Sequence, residues 1–440
     1  MPPSRRSRGV DDWQPTRALR RAVGLVCLLL IAAVALGRHD LAVLAVPFAV
    51  GTVWALRRRP VELPEVTVET AETQTGEGLD VPAVVSVTNP GPADLGPVVI
   101  SPHVSRWLRL RGGDAVATAL PADLAADLDL RFTASRWGRH RLGPVRVQAT
   151  ACDNLLRSRT LVVPAVEIRV HPVNEHFHAS DAMPRAAGLA GTHRSRRPGE
   201  GGELVGVRKF APGDRLRRID WRVSLRTREL HVAATLSDRD ADVVLVVDTL
   251  HEAGESGGVH GKASVLDISV RGAAGVAEHY LTRGDRVSLL EFGPRHRQLR
   301  SASGRLHYRV VQEWLLDTHV IAGLLDVGTW LSRPHQLPTN AVIVVFTPLL
   351  DERSAELLAR LARAGRFVVA VDTLPPHARP DIDSVWLDTA TRLWLLARQN
   401  TIEELAEHGV PIVTWRGAGS LDEVLRDISR MAGAARGVPR

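Results

Sequence analysis

The stretch DVVLVVD, residues 242–248, decides the fold of the C-terminal half of the chain. It is an unbroken apolar run that ends in a carboxylate. Such a run predicts a strand buried on both faces, as in a parallel sheet covered by helices. Similar runs follow along the chain and are expected to be strands, at 286–292, 341–347, 367–372 and 411–415, with a weaker strand at 384–388.

Helical patterns separate these strands. They are expected at 262–283, 303–317, 351–364, 390–408 and 420–433. Strands that alternate with helices predict an α/β domain with a mostly parallel sheet over residues 242–440. Ligands of such sheets bind at the carboxyl ends of the strands. That edge is expected to hold Asp248, Thr347, Asp351 and Asp372.

The segment just before the apolar strand also has a β pattern. HVAATL (231–236) is expected to pair as a hairpin with 242–248 through the turn SDRDA (237–241). This pairing would bring the residues RIDW, 218–221, close to Asp248.

The N-terminal half has a different pattern. Short β-like runs separated by Gly, Pro, Asn and Asp predict an antiparallel β-sandwich over residues 60–173. A connector, 174–241, links this domain to the α/β domain. His171, His176 and His178, with Glu175 nearby, have a spacing that could ligate a metal, but a polar linker is the favoured interpretation.

Two apolar runs, 22–36 and 41–56, lie near the start of the chain. After a basic tail at 1–21, they predict a transmembrane helical hairpin over 22–59. A secretory signal peptide would explain only the first run. Arginines precede the first run and follow the second, and the loop between them has only Arg38. The positive-inside rule therefore predicts a multi-pass protein of the cell membrane, with both termini and the soluble domains in the cytoplasm.

Composition gives only weak evidence on the kind of partner and on the redox compartment. The formal net charge is +7, but nearly all basic residues are arginine, a bias that a GC-rich genome would also produce. The two cysteines, Cys27 and Cys152, cannot form a disulfide framework, which suits a reducing compartment. Cys152 lacks the neighbours typical of a nucleophile.

The connector contains an unusual run, RKFAPGDRLRRIDWRVS, at residues 208–224. Pro212 and Gly213 favour a tight turn. The carboxylates of Asp214 and Asp220 alternate with arginines and can neutralise them, and Trp221 offers a flat face to a guanidinium. The run is therefore interpreted as a clasp that joins the two soluble domains.

The region 191–232 resembles the signature of the family called domain of unknown function 58, R-x-[YF]-x-P-G-D-x-x-R-x-I-D-W-x-x-[ST]-x-R. The resemblance implies two N-terminal membrane helices, a β domain and a C-terminal domain similar to von Willebrand factor type A. It also implies that the motif residues form architecture and an interaction surface. Those residues are Arg208, Phe210, Pro212, Gly213, Asp214, Arg217, Ile219, Asp220, Trp221, Ser224 and Arg226.

Domains of the type A class commonly bind a divalent metal through Asp-x-Ser-x-Ser after the first strand. At the matching place this chain has Asp248, then Leu250 and Glu252 where the two serines would stand. Because Leu250 offers no side-chain oxygen, the expectation is no cofactor. The alternative is Mg²⁺ bound by Asp248, Glu252 and Thr347.

Relatives of this family are often encoded beside MoxR-type AAA+ ATPases. The resemblance thus implies a non-enzymatic adaptor that works with such an ATPase and other membrane proteins. One alternative is a metal-dependent ligand-binding or hydrolytic protein, although the sequence contains no HExxH, GxSxG or P-loop pattern. The other is nucleic-acid binding through the arginine-rich run, which the interleaved carboxylates disfavour, so no nucleic-acid partner is expected.

Overall fold

The computed structural model describes most of the chain, in two compact units, Met1–Val170 and His171–Arg440. The described residues are 12–173, 198–210, 219–236, 242–321, 323–332, 337–338, 341–379 and 384–415.

The described part of the first unit starts with a short strand and two apolar helices. Strand β1 (Trp13–Pro15) precedes helix α1 (Arg17–Leu36), and helix α2 (His39–Leu56) returns antiparallel to it. Thr16 caps the start of α1, and Gly37 ends it in the left-handed conformation, which reverses the chain. Both helices are long and apolar enough to cross a membrane.

The rest of the first unit is antiparallel β structure. A sheet centred on β9 contains β1, β3, β5, β7, β10, β11 and β12, and a second sheet has the order β2-β4-β8-β6. Buried residues of both sheets, such as Val85 and Phe132 from one and Ile100 and Val147 from the other, form one hydrophobic core. The strands are β2 (Glu65–Thr70), β3 (Gln74–Gly76), β4 (Asp80–Thr88), β5 (Leu95–Val104), β6 (Leu108–Leu110), β7 (Val116–Leu120), β8 (Ala125–Ala134), β9 (Gly138–Ala151), β10 (Leu156–Ser158), β11 (Leu161–Val163) and β12 (Val166–His171).

The second unit contains a separate hairpin and an α/β sheet. In the hairpin, β13 (Pro198–Lys209) pairs antiparallel with β14 (His231–Leu236), and the short helix α3 (Trp221–Thr227) lies between them in sequence. The α/β elements follow in chain order as β15 (Asp242–Asp248), α4 (Val265–Arg283), β16 (Arg286–Phe292), β17 (Gln298–Ala302), α5 (Arg305–Leu315), α6 (Val327–Ser332), β18 (Val342–Thr347), α7 (Glu352–Arg363), β19 (Phe367–Asp372), α8 (Leu387–Glu407) and β20 (Ile412–Thr414).

The α/β sheet is mostly parallel, as predicted. Its order is β17-β16-β15-β18-β19-β20, and only the edge strand β17 is antiparallel to its neighbour. Every side chain of β15 from Val243 to Asp248 is buried. This burial agrees with the prediction made from its unbroken apolar run.

Two local predictions were wrong. β14 pairs with β13, not with residues 242–248, because β15 already has parallel partners on both edges, β16 and β18. The weak strand expected at 384–388 is instead a turn followed by the start of α8 at Leu387. The predicted turn at 237–241 and helix at 420–433 lie outside the described residues.

One buried ion pair joins β16, which contains Glu291, to Arg297 in the loop before β17. Glu291 has a side chain that is 1% exposed, and its carboxylate accepts a hydrogen bond from Nη1 of Arg297 at 3.2 Å. The guanidinium of Arg297 also stacks on the ring of Trp314 and donates to its carbonyl oxygen. Arg297 therefore provides the counter-charge that a buried Glu291 requires.

We expect Arg297→Met to lower the free energy of unfolding by about 3 kcal/mol, because it leaves Glu291 buried without a counter-charge. Thermal unfolding of the full chain in detergent should show a melting temperature lower by about 6 °C or more. The matched control is Arg286→Met, since the pair of Arg286 with Asp242 is longer, at 3.5 Å, and partly exposed. Equal shifts in the two variants would contradict the role assigned to Arg297.

Candidate functional site

The carboxyl edge of the parallel sheet gathers polar side chains around one buried carboxylate, that of Asp248 at the end of β15. Asp248 is 1% exposed. Its Oδ2 accepts hydrogen bonds from the hydroxyls of Thr347 and Ser354, both at 2.7 Å. Its Oδ1 accepts from the backbone N–H of Leu250 at 3.0 Å. Protein donors thus occupy both oxygens.

The environment of Asp248 favours its neutral form. Burial raises the pKa of Asp248, and the hydrogen bonds from Ser354 and Thr347 oppose that rise only in part.

Asp351 lies at the same edge and has a different environment. It caps α7 by accepting a hydrogen bond from the backbone N–H of Arg353, and it also binds the Nε and Nη2 of that guanidinium at 2.8 and 2.7 Å. The Nε2 of His251 lies 2.7 Å from its Oδ2. Burial acts to raise the pKa of Asp351, but these bonds outweigh it and hold the pKa well below its usual range.

The third residue predicted for a metal site is placed elsewhere. The carboxylate of Glu252 accepts a hydrogen bond from the backbone N–H of Leu266 at the start of α4. Leu250 is buried in the hydrophobic core. The structure therefore brings Asp248 and Thr347 together, whereas the carboxylate of Glu252 is hydrogen-bonded to the start of α4. Within the described ranges, no cluster of three or more His, Cys, Asp or Glu side chains is arranged for a metal. These residues do not fit Mg²⁺, which prefers octahedral oxygen ligands.

The signature motif forms a second site, on the hairpin. Ile219 makes an antiparallel bridge to Val232, so that β14 is bonded on both of its edges. Asp220 caps α3 because its Oδ1 accepts hydrogen bonds from the N–H groups of Arg222 and Val223, both at 3.1 Å. The buried hydroxyl of Ser224 accepts from the N–H of His231 at 2.8 Å, which holds α3 against β14.

This framework presents apolar side chains to solvent. Trp221 is 61% exposed, Leu225 is 78% exposed and Leu230 is 47% exposed. Trp221 and Leu225 are four residues apart on α3, so they lie on one face of the helix. We call these three residues the signature surface. Arg222 and Arg226 are exposed on the same helix.

Several residues predicted for the motif or for a metal site are not among the described residues, or are described only in part. Pro212, Gly213, Asp214 and Arg217 lie outside the described residues, as do Glu175, His176 and His178. Only the backbone of Arg208 is described, and it pairs with Val232.

Some residues of the two sites were missed in the sequence. Ser354 binds Asp248 from 106 positions away, and no local pattern reveals such a contact. Leu225 could have been found, because its spacing from Trp221 places both on one helical face.

Comparison with known proteins supports the family resemblance over part of the chain. Residues 206–391 match the family described as "Protein of unknown function DUF58". The chain is 28% identical over 210 residues to uncharacterized protein Mb1516 of Mycobacterium bovis and to uncharacterized protein Rv1480 of Mycobacterium tuberculosis. That alignment covers 46% of this chain and spans 65% of the length of each relative.

Similar solved structures include two bacterial proteins. One is an aerotolerance-related membrane protein from Bacteroides fragilis, with 15% identity, coverage of 44% of this chain and 99% of the other, and a TM-score of 0.31. The other is a FixG-related protein from Vibrio parahaemolyticus, with 9% identity, coverage of 25% and 98%, and a TM-score of 0.19. TM-scores this low do not establish a common fold.

We expect Asp248→Asn to change the dependence of stability on pH. Burial raises the pKa of Asp248 above the ordinary value of about 3.9, so the folded chain binds this proton more tightly than the unfolded chain. Its contribution to stability is present below about pH 4 and is lost as pH rises through the folded pKa. Calorimetry from about pH 4 to pH 7 should thus show the free energy of unfolding of the variant rising relative to that of the wild type as the pH increases. The control is Asp388→Asn, whose side chain is 88% exposed. A difference from wild type that stays constant with pH would refute this account of Asp248.

We also expect millimolar Mg²⁺ to leave the melting temperature unchanged, because both oxygens of Asp248 are taken by protein donors. A ligand that bound only the folded chain would raise the melting temperature by mass action. A rise with Mg²⁺ that a chelator reverses, and that Asp248→Asn abolishes, would show a metal site after all.

Proposed function

We propose that this chain is a membrane-anchored, cytoplasmic interaction protein that uses the signature surface to dock a partner. The partner is a MoxR-type AAA+ ATPase, and the chain assists it in the assembly or maturation of a complex. The exposure of Trp221 and Leu225 on a helix held in place by Asp220 and Ser224 is the observation that carries this proposal.

A surface of this kind suits protein binding. Large aromatic side chains dominate the binding energy of protein interfaces when they enter a pocket of the partner. Because α3 is capped and bonded to β14, less conformational entropy is lost when a partner binds it. The polar groups of this framework are already used internally, which favours docking over chemistry.

The strand-end cluster also favours a non-enzymatic role. Asp248 and Asp351 are both engaged by several protein donors. A general base or a nucleophile would need a group free to meet a substrate. The hydrogen bonds at this edge instead stabilise the fold.

Nucleic-acid binding finds less support in the described part of the hairpin. The Lys209 ammonium pairs with Glu229 at 2.6 Å, so one of its cations is already neutralised. The exposed apolar surface of Trp221 and Leu225 is better suited to a protein than to phosphates.

The anchor and the family resemblance supply the rest of the proposal. The two apolar helices support attachment to the cell membrane, and the flanking arginines support a cytoplasmic orientation. Numbered from β15, the α/β sheet has the order 3-2-1-4-5-6, that of a doubly wound sheet, which supports a domain similar to von Willebrand factor type A. The resemblance to the family of domain of unknown function 58 supports the choice of an AAA+ partner.

We expect Trp221→Ala and Leu225→Ala to weaken capture of the ATPase from solubilised membranes, each by about tenfold or more, as for residues at the centre of an interface. Quantitative mass spectrometry of proteins that copurify with the tagged full chain, with and without ATP, measures this effect.

The chain offers matched controls for both changes. Trp386 is 69% exposed and Leu306 is 78% exposed, away from the hairpin in sequence. Trp386→Ala and Leu306→Ala should keep capture at the wild-type level. If the wild type recovers no AAA+ protein under either nucleotide condition, the proposed partnership is wrong.

A further inference from the structure

The base of the two-helix hairpin is fixed to the β structure of its own unit. β1 pairs antiparallel with β10, with Trp13 opposite Ser158 and Pro15 opposite Leu156. Thr16 adds two hydrogen bonds at 2.9 Å, from its N–H to the carbonyl of Leu155 and from its hydroxyl to the carbonyl of Asn154. The start of α1 therefore has a defined position on this unit.

The end of α2 is held at the same place. Ala55 belongs to the hydrophobic core of the sheets, and Leu19 and Leu56 pack against that core. Because α1 and α2 are antiparallel, the first turns of α1 and the residues after α2 come together at one end of the hairpin.

That end carries a concentration of positive charge. Arg17, Arg20 and Arg21 lie in the first turns of α1, and Arg57 and Arg58 directly follow α2. We call these five residues the arginine collar. All five are exposed, and none has an ion pair within the part of the chain that the structure describes. The carboxylate of Asp12, next to this region, is taken by Arg159 at 2.9 Å.

An aromatic residue marks the expected depth of the collar. Trp54 lies in the last turn of α2, three residues before Arg57, and is 63% exposed. Tryptophan is enriched at the level of lipid headgroups, because there its apolar ring can contact the acyl chains while its N–H group remains hydrated. If α1 and α2 cross the membrane, the arginine collar lies at that level, and it would meet phosphate groups there.

We propose that the arginine collar binds the headgroups of anionic phospholipids and so selects the lipids around the anchor. Clusters of four to eight basic residues next to a membrane helix bind anionic lipids, with each residue contributing about 1 kcal/mol near the surface. Here the five charges come from the start of α1 and the end of α2, which the antiparallel arrangement of the two helices brings together. The proposal rests on the membrane anchoring in the proposed function.

The test uses the full chain purified in mild detergent and titrated with phosphatidylglycerol or phosphatidylcholine, with native mass spectrometry as the readout. The wild type should bind phosphatidylglycerol more tightly than phosphatidylcholine. Its affinity for phosphatidylglycerol should fall as the salt concentration is raised. The variant Arg20→Gln, Arg21→Gln, Arg57→Gln, Arg58→Gln should lose this preference, with affinity for phosphatidylglycerol falling about tenfold or more.

A control variant removes the same charge from exposed arginines on the strands of this unit: Arg109→Gln, Arg131→Gln, Arg141→Gln and Arg146→Gln. It should keep the wild-type preference. Equal affinity of the wild type for both lipids, or equal loss in both variants, would overturn the proposal.

Membrane fractionation separates this failure from failure of the anchor. A wild-type chain that stays in the membrane through an alkaline wash, yet shows no lipid preference, refutes the arginine collar alone. A chain that the wash releases refutes the anchoring itself, and the lipid proposal with it.

Discussion

The complete burial of β15 is the constraint on which the second unit depends. The strand is paired on both edges, and its side chains from Val243 to Asp248 are covered on both faces. It therefore ends with a carboxylate away from water, and such a group must be neutralised, hydrogen-bonded or both. Thr347 and Ser354 meet this need from a neighbouring strand and a helix, so the polar groups at the sheet edge are used to complete the fold.

The same constraint separates the signature hairpin from the sheet. Since β15 has no free edge, residues 231–236 find their partner in β13, and Ile219 bonds the other side of β14. The Asp220 cap and the Ser224 hydroxyl then fix α3, with its apolar face exposed. A motif rich in arginine and carboxylate thus supports a surface whose most exposed large apolar side chains are Trp221 and Leu225. This surface is the basis of the proposed role as an adaptor.

The parts of the fold that follow from local patterns could be predicted, and those that depend on distant contacts could not. The apolar strands and the two apolar helices are continuous apolar runs, and the length of each run distinguishes a buried strand from a helix long enough to span a membrane. The edge strand β17, QLRSA, alternates exposed and half-buried residues and has no apolar run to mark it. Proximity in sequence favours residues 242–248 as the partner of 231–236, and only the tertiary pairing of β15 with β16 and β18 excludes them. Likewise, Asp248 could be placed at a strand end, but its donor Ser354 could not be identified from the sequence.

A photo-crosslinking amino acid incorporated in place of Leu225 tests the docking claim most directly, with the same probe in place of Leu306 for comparison, since both side chains are 78% exposed. The experiment is done on the full chain in native membranes, and the crosslinked proteins are identified by mass spectrometry. The account predicts an AAA+ ATPase crosslinked from position 225 and not from position 306. Recovery of the same proteins from both positions, or of no AAA+ protein from position 225, would contradict it.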